Sequence, residues 1–185
     1  MKSLICSDIH DHLDNLRKAL VAGTSLGISS VICCGDLCSP FVLEEFYALC
    51  KVPVHIVFGN NDGDRSTMSQ KINLLNRENS SETIIFIHGE YLLKKRNKPL
   101  PGVPDDKGLF VTHYPEIAYQ AVYAPDLDVV LYGHNHQPHS EIITSTLIAN
   151  PGSLMGYLPS RKEFTNPSFM ILDWDNSDVQ LMPVK

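Results

Sequence analysis

Long apolar runs are missing from this chain of 185 residues. No stretch approaches the roughly 20 residues a membrane-spanning helix needs. Basic residues are in deficit, with 15 Lys and Arg against 21 Asp and Glu and a formal net charge of −6. That balance disfavours a general electrostatic grip on nucleic acid or an anionic membrane, so neither is expected as a stable partner. Paired cysteines are lacking too. Cys6, Cys33, Cys34, Cys38 and Cys50 form no C-x-x-C pair and no zinc-ribbon spacing, so reduced and mostly buried thiols in a cytoplasmic protein are expected. No signal peptide is read at the start, where Met1-Lys2 runs straight into a strand-like stretch. With repeats and low-complexity tracts also absent, what is left is an ordinary globular composition, 43% hydrophobic and 19% charged, sized for one domain over residues 1–185.

Short apolar runs alternate with helix-like stretches. Ser3 to Ser7, Val31 to Cys34, Val54 to Phe58, Leu109 to Thr112 and Val129 to Tyr132 read as buried strands. Leu13, Leu16 and Leu20 share a helical face that Gly23 or Gly27 can end, and Ser39-Pro40 reads as the N-cap and first turn of a second helix. Further helices are read through Ile72, Leu74 and Leu75 and over Pro115 to Tyr123, and Thr83 to His88 with Tyr91 to Leu93 suggest a hairpin about Gly89-Glu90. Lys94 to Lys107, rich in charge and proline, reads as an exposed loop with a place beside the active site open to it. The rest is short strands. Helices alternating with strands first and mostly strands later predict an α/β layered domain with a mixed sheet.

The polar residues are placed unevenly. Asp8 and His10 follow the first strand, Gly35-Asp36 the second, and Gly59-Asn60-Asn61-Asp62 the third. His113 and Gly133-His134-Asn135-His136 follow two later ones. Loops beyond the carboxyl ends of strands form the ligand crevice of an open α/β sheet, so these strands deliver their residues to one edge. Imidazole with carboxylate and amide oxygens suits Mn, Fe, Zn or Co better than Mg or Ca. Asp8, His10, Asp36, Asn60, His113, His134 and His136 exceed the needs of one ion and divide between two if a carboxylate bridges. Two divalent ions also answer the charge problem: about four positive charges, less those of two carboxylates and a hydroxide, leave a surplus for a phosphodiester anion.

Each residue has a bland reading. Asp8 would cap a helix, Asp36 would sit in a turn, and Asn60 and Asn61 are common turn formers. The joint pattern favours ligation for Asp8, Asp36 and Asn60, a structural turn for Asn61, and a loop-stabilising acceptor for Asp62. His134 and His136 are read on an extended segment, both rings to one side. His88 is a weaker rival to His113, and His55 and His139 read as ordinary polar or packed residues.

These motifs, in this order, resemble those of the calcineurin-like metallophosphoesterases, most closely the small bacterial and archaeal phosphodiesterases related to YfcE. Ser7 to Leu13 and the Asn150-Pro151-Gly152-Ser153 turn also look like that branch, and the likeness covers nearly the whole chain. It implies a four-layer α-β-β-α sandwich of two mixed sheets. It implies one ion on Asp8, His10, Asp36 and His136 and another on Asp36, Asn60, His113 and His134, with Asp36 as bridge. Manganese is the first expectation for the metal, with Fe, Zn, Ni and Co as alternatives. The nucleophile would be a metal-bridging hydroxide positioned by Asp36 and Asn60, attacking a small phosphodiester in line.

The pattern departs from the family in two places. Larger members carry a histidine after the metal-binding asparagine, a proton donor to the leaving oxygen; here Asn61 stands there, and an amide is no useful acid. Esters of acidic alcohols are therefore the expected substrates unless His12, or behind it Asp62, supplies the proton. Relatives usually show His-Gly-His around His113, where this chain has Tyr114-Pro115, so Tyr114 is a candidate to narrow the cleft or stack on an aryl group. A catalytically weak scaffold of the same fold, like the retromer subunit that has lost some ligands, and a phosphomonoesterase stay open, as does a homo-oligomer.

Overall fold

The computed structural model describes residues 1–78 and 82–185. Strand β1 (Lys2–Cys6) lies beside β2 (Ser30–Cys33), β3 (Val54–Ile56) and β4 (Ile85–Ile87), all parallel. β12 (Ser168–Asp173) and β13 (Asp178–Pro183) add antiparallel strands at the other side of β1, giving the order β13-β12-β1-β2-β3-β4. A second mixed sheet runs β5-β6-β7-β9-β8, from β5 (Tyr91–Lys94), β6 (Leu109–Thr112), β7 (Val129–Leu131), β8 (His139–Ile143) and β9 (Thr146–Asn150). A small ribbon of β10 (Tyr157–Leu158) and β11 (Glu163–Phe164) stands apart from both.

Strand parity sorts the core into layers. Leu4, Cys6, Val31, Cys33, Val54 and Ile56 face α1 (Leu13–Ser25), α2 (Val42–Leu49) and α3 (Arg65–Glu78). Their alternates Ile5, Ile32 and Cys34 pack between the sheets with Val111, Leu131, Ala149 and Trp174. On the far side Val130 and Ile148 meet Ala118 and Val122 of the α4 region (Pro115–Ala121). The layers are α-β-β-α, as the resemblance implies. Burial on both faces explains why β1 and β2 read as continuous apolar runs.

Several local expectations need correction. The segments flanking Gly89-Glu90 are no hairpin: β4 joins β3 and β5 joins β6, so the turn carries the chain from one sheet to the other. Ser39 does not cap α2, because its hydroxyl and N–H both donate to Asp11 and the helix begins at Val42. Gly23 lies inside α1, close against Leu4, and Gly27 at φ 70° follows the helix end. The 94–107 segment is not beside the candidate site. Gly102 accepts hydrogen bonds from the hydroxyls of Ser29 and Ser30 where β2 begins, whereas Asp36 follows the opposite end of that strand. Lys94 is buried, its ammonium donating to the carbonyls of Lys107 and Asp105. Among the described residues, no helix is long and apolar enough to cross a membrane.

Candidate metal centre

The loops after β1, β2, β3, β6 and β7 meet at one edge of the two sheets. Asp8, Asp36, His113 and His136 are buried at its floor, His10 is half-buried, and Asn60 and His134 are exposed at its rim. The backbone is strained here. Asp8, His10, Asp36, His134 and His136 all adopt positive φ, between 44° and 74°. Non-glycine residues seldom do so, and clusters of them mark functional sites. The pair His134 and His136 is thus not on an extended segment. Two left-handed residues separate their rings, sending His134 toward Asn60 and His136 toward His10.

Nε2 of His136 is 3.2 Å from Nε2 of His10 and 3.2 Å from Oδ1 of Asp8. Oδ2 of Asp36 lies 3.6 Å from Nε2 of His10 and 3.4 Å from Nε2 of His113. Oδ1 of Asn60 is 3.1 Å from Nε2 of His113 and 2.8 Å from Nδ1 of His134. All seven expected residues therefore come together. Two trios could each hold an ion, Asp8-His10-His136 and Asp8-Asp36-His113. Asp36 stands between the two ends, and Oδ1 of Asp8 reaches both as well, at 3.9 Å from His10 and 4.0 Å from His113.

Hydrogen-bond chemistry shows what such a cluster fits. Nδ1 of His113 donates to the carbonyl of Cys34 at 2.7 Å, and Nδ1 of His136 to that of Tyr157 at 2.6 Å. A carbonyl only accepts, so in the neutral rings both Nε2 atoms are bare lone pairs aimed at acceptors. Oδ1 of Asp8 is fully buried and, among the described residues, has no hydrogen-bond partner. Bare nitrogens and a partnerless buried carboxylate oxygen facing one another repel unless a cation lies among them. Nitrogen–oxygen donor sets with their outer N–H groups fixed are how histidine ligands of transition metals are held. The residues fit divalent metal ions.

Where no cation lies there, a proton on His113 takes its place and serves the same carboxylate. Burial pushes the Asp36 carboxyl up, but the hydrogen bonds and charge of His113 and the donors of Asn61 outweigh it and hold the group far below the usual range. Burial lowers His10 despite Asp36 and Asp8.

The supporting contacts are extensive. Asp62 is buried and accepts from the backbone N–H groups of Asp36, Cys38 and Gly59. Both its oxygens are engaged, as befits a loop-stabilising acceptor. Asn61 donates its N–H and its amide to Asp36, at 2.8 and 2.7 Å. Asn150 ties Gly133 to Asn135 around the histidine loop, and Ser153 donates to the carbonyl of Asp8. Arg65 clasps the carbonyls of Gly59 and Asp62 and pairs with Glu90. His12 is exposed at the start of α1, lining a depression with Asp11, Asp14 and Arg17, with no ring contact to the cluster among the described residues. His88 lies elsewhere, against Nδ1 of His55 at 3.1 Å. The ring of Tyr114 packs on His113 and His134, centroids 5.4 and 5.9 Å away. Arg65 and Cys38 were not singled out by sequence. Cys38, 3.3 Å from Nδ1 of His10, is detectable only through the fold.

Residues 1–177 match the calcineurin-like phosphoesterase superfamily domain. The phosphodiesterase MJ0936 of Methanocaldococcus jannaschii is 33% identical over 180 residues, spanning 96% of this chain and 96% of the relative. The solved structure of an archaeal phosphodiesterase has a TM-score of 0.79 at 32% identity and covers 99% of each chain. The E. coli phosphoesterase YfcE shares the fold, with a TM-score of 0.62, 20% identity and 100% of both chains covered.

Proposed function

This chain belongs to the calcineurin-like phosphoesterase superfamily, and from that premise we propose a phosphodiesterase that works with two divalent ions. The family and the named relatives make it a metal-dependent phosphoester hydrolase. One observation carries the finer reading. The Oδ1 of Asp8, without a hydrogen-bond partner among the described residues, lies in two overlapping ligand trios, and His113 and His136 turn bare nitrogens inward. Asp8, His10, Asp36 and His136 would hold one ion, and Asp36, Asn60, His113 and His134 the other. When bound, such a pair supplies a hydroxide near neutral pH and offsets the charge of the phosphodiester.

The protein's own part is positioning. Asp36 and Asn60 set where the nucleophile stands, with Asp36 held by Asn61. Asn61 donates to Asp36 and supplies no proton to a leaving oxygen, and Asp62 is committed to backbone donors. His12 is the remaining acid, and its exposure places it on the solvent side of the loop. We therefore favour diesters with acidic alcohols, such as aryl phosphodiesters, over phosphomonoesters. Manganese is the proposed metal, a single catalytic domain the proposed unit, and the cytoplasm the proposed compartment, which its five free thiols suit.

The test is turnover of an aryl phosphodiester with added Mn²⁺, before and after chelation, beside a monoester panel and a measured metal content. Activity that survives chelation, or faster monoester hydrolysis, refutes the reading. A chiral phosphorothioate diester should react with inversion; retention would indicate a covalent intermediate.

A further inference from the structure

The histidines around Asp8 are not held alike at their outer nitrogens. His113 and His136 each give Nδ1–H to a backbone carbonyl, which fixes one tautomer. His10 instead places Nδ1 3.3 Å from Sγ of Cys38, and a thiol both donates and accepts. The backbone aims that sulfur: Cys38 sits at φ 76° with its N–H bound to Oδ1 of Asp62 at 2.9 Å. On the ring's other side Nε2 meets only acceptors, His136 Nε2 at 3.2 Å, Asp36 Oδ2 at 3.6 Å and Asp8 Oδ1 at 3.9 Å. The last of these is the buried oxygen with no hydrogen-bond partner.

We propose that Cys38 is a positioning residue that lets His10 exchange tautomers when an ion enters the Asp8-His10-His136 trio. Without a cation, the ring proton belongs on Nε2, facing the acceptors, and the thiol donates to Nδ1. With a cation, the ring proton moves to Nδ1 and is accepted by sulfur, which frees the Nε2 lone pair for the ion. Ring and thiol carry one proton each in both arrangements, so the exchange balances. A carbonyl could partner only the second arrangement, and an alanine neither. The inference rests on the metal-dependent reading of this site.

The test is nitrogen NMR of histidine-labelled protein at mildly alkaline pH, metal-free and with Zn²⁺, together with Zn²⁺ affinity by competition calorimetry. His10 should pass from Nε2–H to Nδ1–H on loading, while His113 and His136 stay Nδ1–H throughout. Cys38→Ala should weaken binding at this trio about 10- to 100-fold, the usual effect of losing a partner behind a metal ligand. Cys38→Ser, whose hydroxyl also gives and takes a hydrogen bond, should recover most of it. A His10 already in the Nδ1–H form without metal overturns the proposal. So does a Cys38→Ala protein that binds Zn²⁺ like the parent, or a serine variant no better than alanine. Zn²⁺ binding with the tautomer change but no diester hydrolysis leaves this inference standing and removes the proposed activity. A parent protein that binds no Zn²⁺ removes both.

Discussion

The floor and the rim of the centre are built differently. Asp8, Asp36, His113 and His136 are each at most 6% exposed, and each has a second anchor besides the ligand side chains it faces: a Cys34 or Tyr157 carbonyl for the rings, the backbone N–H of His134 for Asp8, and Asn61 for Asp36. Asn60 and His134 are exposed, and their side chains touch chiefly each other and His113. The floor is therefore arranged by folding, whereas the rim has few constraints of its own. Preorganised groups hold a ligand with little reorganisation, and exposed ones are free to meet the substrate. On the proposed reading, the floor would retain the metal and the rim would engage the substrate.

Removing Asp36 should have the largest effect. It stands between both ends, so Asp36→Ala should lower kcat/KM by at least about 10³-fold. Elemental analysis should show metal lost from both positions. Asn60→Ala should be milder, about 10²-fold by the same measure, with metal kept at the Asp8-His10-His136 end. Equal metal loss in both variants would erase the distinction between floor and rim.

Acid and metal should compete for the floor. Burial pushes His113 and His136 down, but once protonated His113 can donate Nε2–H to Asp36 and His136 to Asp8, and these carboxylates outweigh burial and raise both above the ordinary 6.5. A raised folded pKa stabilises the fold fully below the unfolded value and loses that contribution as pH climbs through the folded one. His10, lowered by burial, has the opposite sign: its contribution is present above the unfolded value and is lost as pH falls through the folded one. His55 and His88, also lowered by burial, share that sign, so the floor is read through one of its own histidines. The melting-temperature loss caused by His113→Asn in metal-free protein should therefore shrink as pH rises from below to above 6.5. Metal-loaded protein should gain stability over the same interval, because protons and ions compete for the same nitrogens. Free metal at 100 times its Kd should add about 2.7 kcal/mol. A loss that instead grows with pH would mean His113 is not held by these carboxylates.

The floor was largely legible in the sequence and its surroundings less so. Asp8 and Asp36 follow the parallel neighbours β1 and β2, whose carboxyl ends share one edge, so spacing delivered that pair; His113 follows β6 of the other sheet, and its meeting with them was implied by the family resemblance. The path from β4 to β5 was not legible. Gly89 permits a reversal, but whether the next strand pairs back or crosses depends on Val54–Ile56 and Leu109–Thr112, both far along the chain. His134 and His136 were placed in the site on the premise of an extended segment, whereas their left-handed backbone separates the rings. Lys94 looked like part of a solvated run because the carbonyls that bury its ammonium lie on a later loop. Cys38 carries no signal in sequence; its meaning lies in a ring contributed 28 residues earlier.

Leaving-group chemistry probes the rim next. Restoring a histidine with Asn61→His puts an acid beside Asp36, and general acid catalysis is worth about 10²-fold at its lower end. That gain should appear with alkyl diesters and fade as the alcohol becomes more acidic, so the slope of log kcat against leaving-group pKa should flatten. A parent enzyme whose slope is already flat has an acid in place, and His12 would then be the group to replace.

The smallest expected effect separates two roles for Tyr114. Its ring already packs on His113 and His134, which makes it a brace for the rim as well as a wall for the substrate. An aromatic pair contributes ~0.5–1.5 kcal/mol, so loss of stacking in Tyr114→Ala should raise KM for an aryl diester about 2- to 10-fold. Tyr114→Phe should leave it unchanged, since a ring without the hydroxyl stacks as well. If the ring only braced His134, the alanine variant would lower kcat for aryl and small alkyl diesters alike. Comparing the two esters therefore decides whether the rim selects its substrate through an aromatic face or merely stands firm around the ions.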